Sequence, residues 1–223
     1  MLTVLEGLDG AGKSTQVRRL RTYLESHGGG VEYIHFPCYD SFYGELIGKY
    51  LRGGFGSIDE VHPQLAALLY AEDRRIAGPR IKQALADGKT VLLDRYVCSN
   101  IAFQCAKLPY EEAEELREWI LNTEFDSFNL PRPDLSIVLD VPLEFVEASL
   151  ASNRAGDDRN YLKGHQDIHE ADIEYQKKVR AMYLRQASLD PSIKVVDCSD
   201  SDGHILPPDA IFAKLKVLVD ECI

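Results

Sequence analysis

A glycine-rich segment near the N-terminus constrains the fold of this chain more than any other feature. Its nine residues follow the pattern G-x-x-x-x-G-K-[ST], and they are Gly7, Leu8, Asp9, Gly10, Ala11, Gly12, Lys13, Ser14 and Thr15. An apolar run precedes the segment and an amphipathic run follows it, which is the strand–loop–helix setting that the pattern requires. Backbone N–H groups in such a loop point into one concave nest, and the following helix adds its positive N-terminus. The segment therefore predicts a site for a nucleoside triphosphate.

The chemistry of this loop assigns roles to two of its side chains. We expect Lys13 to reach the β- and γ-phosphates of ATP, and the Ser14 hydroxyl to bind Mg²⁺. A nucleoside triphosphate is thus the expected ligand and Mg²⁺ the expected cofactor. The predicted ATP-binding residues are Gly7, Gly10, Ala11, Gly12, Lys13, Ser14 and Thr15.

Short apolar runs alternate with longer runs of helical period along the chain. Strands are predicted over residues 2–6, 31–36, 90–94, 135–141 and 193–197, and helices include residues 13–26, 61–86, 110–122 and 167–187. Strands separated by helices need crossover connections and form a parallel sheet. No repeat or low-complexity linker divides the 223 residues. We therefore expect a three-layer α/β fold, with a five-stranded parallel sheet flanked by helices in a single domain over residues 1–223.

Composition and charge disfavour several classes of protein. The formal net charge is −11, so the surface as a whole repels polyanions, and no nucleic-acid partner is expected. No run approaches the roughly 18 apolar residues of a membrane helix, and the N-terminus has no signal-peptide pattern. The five cysteines form no C-x-x-C pair, which is typical of reduced thiols rather than of disulfides or a zinc site. The expected location is the cytoplasm, without membrane attachment.

An acidic and a basic residue follow the third predicted strand and narrow the choice among nucleotide-binding proteins. Asp94 ends an apolar run beside Arg95, and residues after neighbouring parallel strands face one crevice. We expect Asp94 to orient Mg²⁺ or its waters, and Arg95 to pair with a phosphate. The base-reading pattern N-K-x-D of GTPases is absent. These features favour a small-molecule kinase.

Several motifs in order along the chain resemble those of the thymidylate kinase family. Residues 94–104 resemble the family pattern D-R-[YH]-x-x-S-x-x-A-[FY], and residues 7–15 resemble its G-x-[DE]-G-x-G-K-[ST]-T. Residues 36–37, 68–74, 158–161 and 179–183 also look like family landmarks. The resemblance implies a P-loop kinase fold, usually a homodimer, that transfers the γ-phosphoryl group of ATP to dTMP and releases dTDP and ADP.

The resemblance also implies an acceptor site. Asp9 would accept a hydrogen bond from the 3′-hydroxyl, Phe36 would stack on the pyrimidine, and Phe103 would crowd the 2′ side of the sugar. Arginine and amide side chains would bind the base edge, and Arg95 with Tyr39 would hold the acceptor phosphate. The predicted substrate-binding residues are Asp9, Phe36, Tyr39, Arg74, Arg95, Ser99, Asn100, Phe103, Gln104 and Tyr161.

Two departures from the family pattern concern positive charge. Many members carry an arginine in the Phe-Pro segment, where this chain has Cys38 and Tyr39. Members with glycine at the position of Gly10 take an arginine from a lid instead, and residues 150–163 have the composition of such a lid. Arg154 is its first candidate and Arg159 its second. The predicted catalytic residues are Lys13, Asp94, Arg95, Arg154 and Arg159, and the predicted metal ligands are Ser14 and Asp94.

Other functions remain open from the sequence alone. The chain could phosphorylate another pyrimidine nucleotide or a deoxynucleoside, or it could bind ATP as an inactive sensor. A P-loop ATPase that drives conformational work would need a second domain, for which no segment is evident. His165 and His169 stand at helical spacing, but we expect them to be solvated or capping residues rather than metal ligands.

Overall fold

The sheet at the centre of the fold is all-parallel. The structure is a computed structural model that describes residues 1–151, 162, 167–169 and 172–222. Within them the strands are β1 (Leu2–Gly7), β2 (Val31–His35), β3 (Thr90–Asp94), β4 (Leu135–Asp140) and β5 (Ile193–Asp197). Their order in the sheet is β2-β3-β1-β4-β5. The predicted five-stranded parallel α/β fold is therefore confirmed.

Helices connect the strands and cover both faces of the sheet. Their bounds are α1 (Lys13–Ser26), α2 (Phe42–Leu51), α3 (Pro63–Ala86), α4 (Val97–Cys105), α5 (Tyr110–Leu121), α6 (Leu143–Ala151), α7 (Ile173–Leu189) and α8 (Pro208–Asp220). A π-helical turn over Asn122–Ser127 extends α5. None of the helices in the described ranges is long and apolar enough to cross a membrane.

Alternate side chains of the central strands enter two separate apolar cores. Leu5 of β1 packs in a core with residues of α1 and α8, whereas its neighbour Val4 packs in a core with residues of α3 and α5. Successive residues of a strand point to opposite faces, so each face of the sheet needs its own covering layer. This alternation produces the three layers of helix, sheet and helix.

The sheet order brings the two predicted phosphate-handling segments to one edge. β1 pairs with β3 in parallel register, with Leu5 opposite Asp94. The glycine loop follows β1 and Arg95 follows β3, so both segments lie at the carboxyl edge of the sheet. Ligands of open parallel sheets bind in the crevice at this edge.

The helix predicted over residues 167–187 begins later than expected. It starts at Ile173, and the carboxylate of Asp172 caps it by accepting a hydrogen bond from the Glu174 N–H at 2.8 Å. His169 lies in a turn before the helix, and its backbone N–H donates to the Asp167 carboxylate at 2.7 Å. The predicted helix over residues 61–86 begins at Pro63, since His62 accepts a hydrogen bond from the backbone N–H of Gln64 and proline fits the first helical position.

Helix α2 contacts the preceding loop so closely that one position accepts no side chain. An added Cβ on Gly44 would lie 1.8 Å from the carbonyl oxygen of Cys38. We expect Gly44→Ala to lower the free energy of unfolding by about 1–3 kcal/mol, because the loop must move to admit the methyl group. Thermal unfolding measures this change.

Gly78→Ala is the matched control. At Gly78, which lies in α3, the nearest atom is the end of the flexible Leu130 side chain, 3.0 Å away. This second substitution should change the melting temperature much less. Equal effects of the two substitutions would contradict the packing argument.

Candidate active site

The glycine loop holds its lysine over its own backbone. Gly10 and Gly12 have φ angles of 77° and 79°, a region that side chains disfavour, which explains glycine at both positions. The Lys13 Nζ donates hydrogen bonds to the carbonyl oxygens of Gly7 at 3.2 Å and Leu8 at 2.7 Å. Burial, and then the positive charge of Arg95, lower the pKa of Lys13 to about 8. The ammonium group is thus poorly solvated, and the negative charge of a triphosphate would stabilise it.

Asp94 lies at the end of β3 with one carboxylate oxygen unused. Its Oδ2 is 3.2 Å from the Nδ1 of His35, whereas its buried Oδ1 has no hydrogen-bond partner among the described residues. Burial would raise the pKa of Asp94, but the hydrogen bond from His35 and the charges of Lys13 and Arg95 lower it. An ionised carboxylate with a free oxygen suits a divalent cation or its waters.

Arg95 is fixed at the junction between the glycine loop and α4. Its Nη1 donates to the Gly7 carbonyl at 3.0 Å, and its Nη2 donates to Asp9 Oδ1 at 2.5 Å. The guanidinium carbon lies 5.1 Å from the centre of the Phe103 ring, within the range of a cation–π contact. Burial would lower the pKa of Arg95, but Asp9 and other anionic groups raise it.

A buried ion pair closes the other end of the site. The Arg74 guanidinium donates through Nε to Glu124 Oε2 at 2.5 Å and through Nη2 to Oε1 at 2.8 Å, and both side chains are almost fully buried. The Nδ2 of Asn100 donates to the same Oε1 at 2.9 Å and to the Ala67 carbonyl at 3.0 Å. The Oδ1 of Asn100 is buried with no partner among the described residues. It is therefore an acceptor available to a ligand.

A cleft lies between these two ends. Nine of the ten predicted acceptor residues line it, and they are Asp9, Phe36, Tyr39, Arg74, Arg95, Ser99, Asn100, Phe103 and Gln104. The tenth, Tyr161, lies outside the described residues, as do the lid candidates Arg154 and Arg159. The cleft therefore combines aromatic walls with basic and amide groups, a lining that fits a phosphorylated heterocyclic ligand.

His169 also lines this cleft, contrary to the expectation that it is solvated. Its side chain is buried, and its ring stacks on Phe103 with centroids 5.5 Å apart and planes 25° apart. Its Nε2 lies 3.2 Å from the Tyr50 hydroxyl, which accepts from Lys107 Nζ at 2.5 Å. Burial, and then the charge of Lys107, lower the pKa of His169 well below its usual value. His165 lies outside the described residues.

Sequence patterns assigned no role to several residues around the cleft. Tyr70 lines it, Glu124 pairs with Arg74, and Glu6 and Tyr183 contact the neighbourhood of Arg95. A signal for Glu6 was present, because a carboxylate in a strand that is buried along its whole length needs a specific partner. Glu124 gave no such signal, since its partner is fifty residues away.

Comparisons with known proteins give one consistent result. The family model for thymidylate kinase matches residues 5–205. A probable thymidylate kinase from Thermococcus gammatolerans is 35% identical over 206 residues, which cover 90% of this chain and 89% of that protein. Thymidylate kinase from Mycobacterium tuberculosis is 33% identical over 190 residues, which cover 84% of this chain and 86% of the relative.

A solved structure agrees with the sequence relatives. Thymidylate kinase from Candida albicans superposes with a TM-score of 0.72 and 27% identity, over 99% of this chain and 91% of that one. The family model spans most of the sequence, and the sheet and the glycine loop agree with a P-loop kinase fold. The chain belongs to the thymidylate kinase family.

Proposed function

We propose that this protein transfers the γ-phosphoryl group of ATP to dTMP and releases dTDP and ADP. Membership of the thymidylate kinase family supports this reaction over an inactive sensor or a kinase for another nucleotide. The observation that carries the assignment of the site is the cleft itself, in which nine predicted acceptor residues meet beside the glycine loop. We further propose that residues 1–223 work as one kinase domain.

The acceptor would lie with its phosphate toward Arg95 and its base toward Arg74. Thymine carries an N–H at position 3, and the unpaired Oδ1 of Asn100 is an acceptor that matches it. Cytosine has an acceptor nitrogen at this position, so the same pairing would be lost, and a buried polar group without a partner is costly. The amide of Asn100 thus supports thymidylate or uridylate over cytidylate.

The sugar would occupy the middle of the cleft. Asp9, which already pairs with Arg95, would accept the hydrogen bond of the 3′-hydroxyl. The ring of Phe103, backed by His169, would fill the space that a 2′-hydroxyl needs. Phe36 would supply an apolar surface for the base. The remaining contacts with the acceptor would come from Tyr39, Ser99, Gln104 and Tyr161.

ATP would bind across the glycine loop, with Lys13 at its β- and γ-phosphates. The exposed Ser14 hydroxyl and the free Oδ1 of Asp94 fit Mg²⁺, which supplies charge neutralisation and orientation of the phosphates when bound. We propose that Arg154, or otherwise Arg159, approaches the transferring group from the lid. No general base is required, since a phosphate monoester has a second pKa of about 6 and is largely unprotonated at neutral pH.

Alignment and charge therefore account for the catalysis. Arg74 is neutralised by Glu124, and the Phe-Pro segment offers Tyr39 instead of an arginine. Positive charge for the acceptor phosphate would come from Arg95, which also pairs with Asp9. Backbone N–H groups of the loop and Lys13 would stabilise the negative charge of the transferring group.

Arg95→Ala tests the orientation of the acceptor. We expect KM for dTMP to rise about a hundredfold, because two hydrogen bonds between charged groups are lost, while KM for ATP changes much less. Steady-state kinetics with each substrate varied in turn measures the two KM values. Arg75→Ala is the control, since Arg75 is a half-exposed arginine on α3 that pairs with Glu72. An unchanged KM for dTMP in Arg95→Ala would reject the orientation.

We also propose a homodimer, located in the cytoplasm. Leu65, Leu68 and Ile76 are exposed on α3 at spacings that place them along one side of the helix. A second copy of this chain would cover such a stripe. Leu65→Glu with Leu68→Glu should convert a dimeric species to a monomer in sedimentation analysis, whereas a monomeric wild-type protein would contradict the proposal.

A further inference from the structure

The backbone between β3 and α4 has an unusual conformation. Arg95 has a φ angle of 68°, a region that residues other than glycine rarely adopt. The helix that follows has Tyr96 at its N-cap, and this residue makes no side-chain capping hydrogen bond. A strained residue before an uncapped helix persists only if other groups hold it.

Glu6 supplies the missing cap from a different element. Its Oε1 accepts hydrogen bonds from the backbone N–H groups of Tyr96 at 2.9 Å and Ser99 at 3.2 Å. These are the N-cap and N3 donors that a capping box satisfies with residues of the helix itself. The Glu6 side chain is fully buried at the end of β1. The strand that leads into the glycine loop therefore holds the first turn of α4.

The second oxygen of Glu6 is linked to Arg95 through two hydroxyl groups. Its Oε2 accepts from the Ser99 hydroxyl and lies 3.2 Å from the Tyr183 hydroxyl. The two hydroxyl oxygens are 2.7 Å apart, and Arg95 Nη1 lies 3.2 Å from that of Ser99 and 3.4 Å from that of Tyr183. Arg95 and Ser99 line the cleft beside the glycine loop, whereas Glu6 and Tyr183 are buried.

An ionised Glu6 and one hydroxyl proton on each of Ser99 and Tyr183 give this network a consistent direction. Ser99 has one hydroxyl proton and gives it to the Glu6 carboxylate, so its lone pairs face Arg95 and Tyr183. Tyr183 can then donate to Ser99, and the guanidinium finds only acceptors in front of Nη1. An amide in place of the carboxylate would donate a proton toward Ser99 and would compete with Arg95 for the same oxygen.

We propose that Glu6 and Tyr183 are positioning residues that aim the Arg95 guanidinium at the phosphate of the acceptor nucleotide. Glu6 acts by capping α4 and by orienting the Ser99 hydroxyl, and Tyr183 acts by completing the set of acceptors around Nη1. This inference rests on the proposed role of Arg95. It assigns a kinetic role to a buried glutamate and a tyrosine that touch neither nucleotide.

Tyr183→Phe is the most direct variant, because it deletes one hydroxyl and keeps the ring that packs edge-on against Phe103. We expect KM for dTMP to rise about three- to tenfold, as the loss of one hydrogen bond predicts, and KM for ATP to stay within about twofold. Glu6→Gln should raise KM for dTMP more than Tyr183→Phe does, because the glutamine amide would donate a hydrogen bond toward Ser99 where the carboxylate accepts one.

The same substitutions in an Arg95→Ala background separate positioning from a structural role. If Tyr183 acts through Arg95, Tyr183→Phe should have almost no further effect there, since contacting residues couple in a double-mutant cycle. Tyr175→Phe is the matched control: this buried tyrosine on α7 donates to the Phe103 carbonyl instead, so any effect should be equal in both backgrounds.

Two results would overturn the inference while leaving the role of Arg95 intact. One is an unchanged KM for dTMP in Tyr183→Phe when Arg95→Ala raises it. The other is an equal loss from Tyr183→Phe with and without Arg95. An Arg95→Ala variant with normal KM for dTMP would instead reject the proposed acceptor site, and the inference with it. Melting temperatures of all variants show whether each is folded.

Discussion

Lys13→Ala should lower kcat by about a hundredfold or more, the loss expected when one preorganised charge is removed from a phosphoryl-transfer site. In the structure the Lys13 ammonium group is buried against the carbonyl oxygens of Gly7 and Leu8. Phosphate oxygens would replace these neutral acceptors when ATP binds. Once ATP is bound, the charge would be in place before the reaction, so it would need little reorganisation at the transition state.

The measurement for this variant is steady-state turnover at saturating ATP and dTMP. Lys89→Ala is a suitable control, because Lys89 is an exposed lysine in the turn before β3. The control should turn over at the wild-type rate. Near-normal kcat for Lys13→Ala in a folded protein would place the triphosphate somewhere other than the glycine loop.

Arg74→Met should destabilise the protein more than any other single change considered. It leaves the Glu124 carboxylate buried with a charge and, among the described residues, with Asn100 as its one remaining side-chain donor. Removal of one partner of a buried ion pair costs about 3–5 kcal/mol, because the remaining charge is not compensated. For a domain of this size that loss lowers the melting temperature by about 10 °C. Differential scanning calorimetry measures it.

A second variant separates stability from binding at this end of the cleft. Arg74→Met with Glu124→Leu removes both charges, and buried pairs replaced by apolar residues often recover stability. We expect the melting temperature to rise toward that of the wild type while KM for dTMP stays raised, because the guanidinium at the base edge is gone. A double variant as unstable as Arg74→Met would show that the unpaired carboxylate is not the cause.

The strands were predicted to within about a residue because their signals are local. Apolar runs such as residues 90–94 end at turn residues, and the structure places β3 at those bounds. The late start of α7 was not predictable from periodicity, since the predicted helix begins at residue 167, whereas Asp172 caps a helix that begins at Ile173. The π-helical turn that carries Glu124 also lacks a sequence signal.

The residues of the candidate site also form two groups, those that local sequence patterns predict and those that only the fold reveals. Asp9, Lys13, Asp94 and Arg95 lie in short motifs, so pattern and spacing find them. Glu6, Glu124, Tyr183 and His169 act through partners from fifty to nearly two hundred residues away, and only the fold reveals those partners. An ionisable residue within an apolar run was the sequence signal that could have indicated such a partner, because a buried charged group needs one.

The most direct test of the central claim is ADP release by the wild-type protein with ATP, Mg²⁺ and a panel of acceptors. The panel comprises dTMP, dUMP, UMP, CMP, AMP and thymidine. We predict the highest kcat/KM for dTMP, a lower value for the ribonucleotide UMP, which meets Phe103, and little turnover of CMP, which mismatches Asn100. Thymidine, which lacks the phosphate bound by Arg95, should not be phosphorylated. A preference for CMP or AMP, or no acceptor-stimulated ADP release at all, would contradict the account.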